Sequence, residues 1–90
     1  MEPIIYICIT EEKAIGIKND MFHLLEKQGY VTHKDFTKIC GYYSEIFEDP
    51  MYDLWGWYEL ADLIIDKDVG DNWFVQTPEL VKFTEGGEVL

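Results

Sequence analysis

The spacing of apolar residues after Thr32 constrains this chain more than any other feature. Phe36, Ile39, Cys40, Tyr43, Ile46 and Phe47 recur at i, i+3, i+4, i+7, i+10 and i+11, a stripe that a helix keeps on one side. Thr32 and Asp35 just ahead of it approximate a capping box, Thr-x-x-Asp. The pattern predicts an amphipathic helix with one core face, reaching Phe47.

Weaker signals surround it. "IIYICIT", Ile4 to Thr10, is β-branched and almost wholly apolar, which suits a strand buried on both faces or central in a small sheet. In "AIGIK" the alternation of Ile15 and Ile17 about Gly16 favours a hairpin arm, with a short helix as the competing reading. Asn19 or Asp20 as cap, Met21, Leu24 and Leu25 at helical spacing and Gly29 as stop predict a short helix. Asp49 and Pro50 read as the N-cap and first residue of a third helix that runs to about Ile65 and ends before Gly70. Asn72 to Thr77 alternates as a strand; Leu80 to Thr84 pairs beside it or continues as an edge, and Pro78 interrupts the two. Glu85 to Gly87 is turn chemistry, and Glu88 to Leu90 a last short strand or a loose tail. The sum is an α+β fold: a small antiparallel sheet, from an N-terminal strand or hairpin plus C-terminal strands, with about three helices packed on one face.

Ninety residues predict a single domain over 1–90, and 48% hydrophobic with 16% aromatic residues is a globular composition despite the high charge. No apolar run approaches the ~18 residues of a membrane span, and the opening "MEPIIYICITEE" lacks the basic start of a secretory signal. The expected location is cytoplasmic, the host cytoplasm if the chain is phage-encoded. Cys8 and Cys40 have no metal or redox spacing and read as small buried hydrophobes, with no disulfide.

The net charge of −11 is unevenly spread. Residues 1–40 hold six acids against five lysines; residues 41–71 hold nine acids against Lys67 alone; residues 72–90 hold three acids and Lys82. Every cation is a lysine, so the fork that binds phosphate bidentately is missing and direct nucleic-acid binding is disfavoured.

On a helical wheel over the predicted third helix, Leu54, Trp57, Tyr58, Ala61, Ile64 and Ile65 share an arc of about 120° that faces the core. Trp55, Glu59, Asp62 and Asp66 share another, successive members about 4.5 to 6 Å apart along the axis. Like charges so placed destabilise a helix, and an indole ringed by carboxylates resembles a binding face for a basic partner. Glu45, Glu48, Asp49 and Asp53 extend that surface as a supporting ring. The plain alternative is an acidic face that is merely solvated; mixed signs are the norm on such surfaces, and here nine acids meet one lysine.

A basic cleft most often holds nucleic acid, and carboxylates at this spacing stand in for phosphates. The expectation is therefore a non-enzymatic acidic inhibitor, a nucleic-acid mimic of the kind that phages direct at restriction, CRISPR or repair enzymes, an analogy of composition alone. An immunity or antitoxin protein that neutralises a basic toxin without mimicry has nearly the same sequence signature. Other classes fit less well. His23 and His33 form a Cys–His pair with Cys8 or Cys40 only if the fold joins them. "DKDVGDN", Asp66 to Asn72, opens like a calcium loop but places glycine fifth and Thr77 twelfth, which rejects an EF-hand and leaves a turn, with an irregular cation site as the alternative. A helix-turn-helix reading fails for want of Arg, Asn or Gln beside Lys34, Asp35 and Lys38. No cofactor or metal is expected, and the oligomeric state is open.

Overall fold

The computed structural model describes residues 3–8, 10–41 and 45–83, without the side chains of Cys8, Ile46 and Phe47. Tyr43, Thr84 and the expected turn and tail of residues 85–90 lie outside that range. Among the described residues the fold is α+β, with two α-helices and six strands: β1 (Ile5–Cys8), α1 (Glu11–Gln28), β2 (Val31–Thr32), α2 (His33–Cys40), β3 (Trp55–Trp57), β4 (Ile64–Lys67), β5 (Trp73–Gln76) and β6 (Val81–Lys82). The strands form two antiparallel three-stranded sheets, ordered β1-β5-β4 and β2-β3-β6. The expectation of about three helices on one sheet is thus overturned.

Helix α1 begins a full two turns before the predicted start. Thr10 is its cap, accepting from the Lys13 N–H at 3.2 Å, and Glu11 and Glu12 complement the positive end of the helix dipole. Ala14, Ile17 and Met21 then fall on one buried stripe, so the Ile15–Ile17 alternation belongs to a helix and not to a hairpin arm. Asn19 and Asp20 sit exposed in its interior; they are not caps. The stop at Gly29 is as expected: its φ of 85° is the left-handed conformation, and its N–H returns to the Leu25 carbonyl at 2.8 Å.

The capping box at α2 is complete. Asp35 N–H donates to Thr32 Oγ1 at 3.0 Å, and Thr32 N–H donates to the Asp35 carboxylate at 3.2 Å. Removing it with Thr32→Ala is expected to cost about 1 kcal/mol and to lower Tm by about 4–8 °C in a calorimetric scan. The helix ends at Cys40, well short of Phe47, because Gly41 takes φ 84° and closes it with bonds to the Thr37 and Lys38 carbonyls. An apolar period alone does not show where a helix stops.

The predicted third helix is absent. Asp49 does act as a cap, accepting from Met51 N–H at 3.0 Å ahead of Pro50, but the helix it opens is a single 3-10 turn, Pro50–Asp53. A second such turn spans Glu45–Glu48. From Trp55 the chain is extended. Gly56 explains why: it lies in the middle strand of the second sheet, opposite Thr32 and Val81, against the Val31 carbonyl. Glycine disfavours a helix by about 1 kcal/mol, while the aromatic and β-branched residues of "WGWY" and "LII" favour strands. Of the expected core arc, Trp57 is buried and Tyr58 and Ile65 are half-buried, but Leu54, Ala61 and Ile64 are exposed.

The core between the sheets and helices gathers Ile17, Met21, Val31, Phe36, Trp57 and Val75, with Leu60 and Leu80. The row Tyr6–Val75–Ile65 of the first sheet faces it, Val75 buried and its two neighbours half-buried, and α1 packs on that side. Among the described residues strand β1 is therefore an edge, with one face covered, not a strand buried on both. At Thr77 and Pro78 the chain leaves the first sheet for the second. Thr77 and Ile4 exchange two bonds of 2.9 Å, and Pro78 accepts both the Thr77 hydroxyl at 3.0 Å and the Trp57 indole N–H at 2.8 Å. Of the Leu80 to Thr84 segment, the described residues 80–83 thus neither pair with β5 nor extend it: Val81 and Lys82 pair with β3.

Candidate functional site

The four residues grouped by the helical wheel are divided between different elements. Trp55 is on β3, half-buried, with its ring packed against the core rather than standing free among acids. Asp66 is exposed on β4, in register with Phe74. Glu59 and Asp62 lie in the connection between β3 and β4, and these two the fold does bring together. They line an open cleft of about 670 Å³, where they are joined by Glu79, a residue the charge map passed over because it follows Pro78 in the C-terminal third. Pro3, Ile64, Gln76 and Thr77 complete much of the wall, and no lysine is among its lining residues. A smaller hollow of about 330 Å³ adjoins it across Glu59, Pro78 and Glu79, floored by Trp57 and Tyr58.

Two of these carboxylates, Asp62 and Glu79, have a local reason for their position. Leu63 N–H closes a turn onto the Leu60 carbonyl at 3.0 Å, which anchors Leu60 in the core and turns Asp62 outward. Glu79 follows the Thr77–Pro78 corner just described. Glu59, Asp62 and Glu79 are all exposed, and none forms an ion pair or hydrogen bond among the described residues. Uncompensated negative charge on a concave wall concentrates the field there and attracts cationic groups.

The expected supporting ring is arranged differently. Lys34, from the preceding helix, reaches Asp53 at 3.4 Å and Glu48 at 3.8 Å. A division of charge by sequence position could not show that cation, because it comes from α2. Asp49 is occupied as a cap. Glu45 is exposed in its 3-10 turn. This part of the acidic run is accordingly braced by internal contacts, unlike the cleft.

The residues considered for other chemistry are placed as follows. His33 begins α2 and Cys40 ends it, about 10 Å apart along the axis at 1.5 Å per residue, so the two do not meet. His33 stacks edge-on against Tyr52 at 5.3 Å, and burial holds its imidazole below the ordinary pKa. His23 is exposed on α1. In the Asp66 to Asn72 segment, Asp66 and Lys67 end β4, and Asp68 to Asn72 are the hairpin loop to β5: Asp68 Oδ1 accepts from Gly70 and Asn72 N–H at 2.8 and 3.0 Å, and Asp71 takes φ 64°. Lys67 pairs with Asp71 at 3.4 Å across it. Among the described residues no three His, Cys, Asp or Glu side chains are grouped to hold a metal, and no helix is long and apolar enough to cross a membrane.

No known protein family matches this chain, and neither a curated protein nor a solved structure resembles it significantly.

Proposed function

We propose that this chain is a small acidic inhibitor or regulator, without catalysis of its own, that binds a basic and nucleic-acid-binding surface of another protein. The observation that supports the reading is the cleft wall of Glu59, Asp62 and Glu79, three exposed carboxylates with no lysine among the residues around them. The fold places three carboxylates along one concave wall, a local concentration of negative charge such as a nucleic-acid backbone presents. A cationic groove that evolved to hold nucleic acid is complementary to such an arrangement. Mimicry of this kind is how an anti-restriction or anti-CRISPR protein of a phage would act in the host cytoplasm. An antitoxin-like binder that leaves nucleic-acid binding intact is the second reading. It is favoured by the exposed isoleucines next to the cleft, since a mimic of phosphate has no need of them.

The test begins with the immobilised chain and host lysate at low and high salt, the bound proteins being identified by mass spectrometry. Nucleic-acid enzymes retained only at low salt, and released by added DNA or RNA, are the expected result. For a partner so found, the combined reversal Glu59→Lys, Asp62→Lys and Glu79→Lys is expected to weaken binding severalfold or more and to flatten its salt dependence. Its melting temperature should be unchanged or raised, because like charges are relieved. Equal affinity for the reversed protein would count against this cleft.

A further inference from the structure

The β1-β5-β4 sheet carries apolar residues on both faces, and among the described residues only one face is covered. Strand register puts Tyr6, Val75 and Ile65 on the side packed by α1. On the opposite side, Ile5, Gln76 and Ile64 form one row across the sheet, and Ile7, Phe74 and Asp66 form the next. Ile5, Ile7 and Ile64 are 59%, 55% and 46% exposed. Isoleucine on the solvent side of an antiparallel sheet departs from the usual alternation of apolar inside and polar outside. Four of the six positions in these rows, Ile5, Ile7, Phe74 and Ile64, are apolar, and exposed apolar residues gathered on one face mark an interaction site.

We infer that this outer sheet face docks an amphipathic, lysine- or arginine-flanked helix of the partner, an inference that rests on the reading of the chain as a binder of a basic protein. Two features specify the occupant. Three strands spaced about 4.8 Å apart make a face roughly 10 Å wide, the diameter of one α-helix, and α1 already covers the inner face in that way. The second feature is charge. The outer face runs directly into the acidic cleft, which shares Ile64 and Gln76 with it and carries Asp62 and Glu59, while Asp66 stands in the apolar row itself. A second copy of the chain would set these acids against their own duplicates, with −11 charges on each molecule. A cationic helix instead places its apolar stripe on the isoleucines and its flanking charges on Asp66 and Asp62.

The experiment uses a fluorescent synthetic peptide of leucine and lysine, about five helical turns long with leucines on one face, and a scrambled peptide of the same composition. Anisotropy titrations at low salt are expected to show the amphipathic peptide bound more tightly than the scrambled one. Ile5→Ser with Ile7→Ser is expected to weaken it about tenfold or more. Asp62→Lys with Asp66→Lys is expected to weaken it severalfold and to reduce the salt dependence. Ile15→Ser, on the exposed side of α1, serves as a control that leaves binding unchanged, and thermal melts establish that each variant is folded. Equal binding of the two peptides, or equal loss from Ile15→Ser, overturns the face while sparing the general acidic-binder reading. Failure to bind either peptide defeats both. Sedimentation that shows a dimer abolished by Ile5→Ser and Ile7→Ser overturns the proposal in favour of a second copy.

Discussion

The expected result of Trp57→Ala is a fall in Tm of about 20 °C, a loss of about 4 kcal/mol, followed by circular dichroism or calorimetry. The indole is 2% exposed and meets the Phe36 ring edge-on at 5.7 Å, so truncation opens a cavity between the second sheet and α2. It also deletes the donor to the Pro78 carbonyl, at the corner where the chain crosses between sheets. With total stability of roughly 5–15 kcal/mol for a domain of this kind, such a loss leaves little margin. Trp57→Phe separates the two contributions. Most of the ring packing persists, and Pro78 keeps the Thr77 hydroxyl, so about 1 kcal/mol is expected for the lost hydrogen bond on top of a smaller packing term. A melt of Trp57→Ala within a few degrees of the parent would show that the indole is not where the core is closed.

Local signals in this sequence were legible where a single side chain or cap decides them. The Thr32–Asp35 box, the Gly29 stop and the strand at Asn72 to Thr77 are of that kind, since each depends on neighbours in sequence. Periodicity was misleading where the same residues satisfy two periods. Leu54, Trp57, Tyr58, Ala61, Ile64 and Ile65 fit a helical arc, yet Trp57 and Ile65 are inward residues of two strands in different sheets. The glycine between two tryptophans was the signal against a helix. Its cause, the passage of β2 across it, is a contact between residues 31–32 and 56 that no local pattern displays.

The candidate site shows the same division. Acid richness was plain from composition, and Glu59 and Asp62 do stand together. Their partner Glu79 comes from the other side of Pro78, and the counter-cation of Glu48 and Asp53 comes from α2, so both depend on tertiary structure. The apolar outer face was hidden within a correct strand assignment. "IIYICIT" is apolar at every position but one, and such a run fits a strand covered twice as well as one covered once. Only the strand order, which puts β1 at an edge with α1 on one side, distinguishes them.

Gly56→Ala probes the long-range contact that redirects this segment. Glycine at position 56 is required by space rather than by dihedral angle, since its φ is not positive. A Cβ built there runs into the Val31 carbonyl oxygen and lies 2.8 Å from Thr32 Cα and 2.9 Å from the Phe83 ring. The first two obstacles are backbone of the neighbouring strand, which cannot swing aside as a flexible side chain does. Strand β2 must therefore move off β3, and Thr32 is also the cap of α2, so the displacement reaches a helix terminus. A cost at the upper end of overpacking, about 3 kcal/mol, is expected, with Tm lower by about 15 °C. Gly16→Ala makes the matched comparison. No atom lies within 4 Å of a Cβ at that helical position, and alanine there is expected to stabilise by up to about 1 kcal/mol through helix propensity. Opposite shifts from the same chemical change locate the constraint in the β2–β3 crossing. If Gly56→Ala melts with the parent or above it, β2 does not pass where it has been placed. Residues 54–65 would then be free to take the helical course their apolar spacing allows.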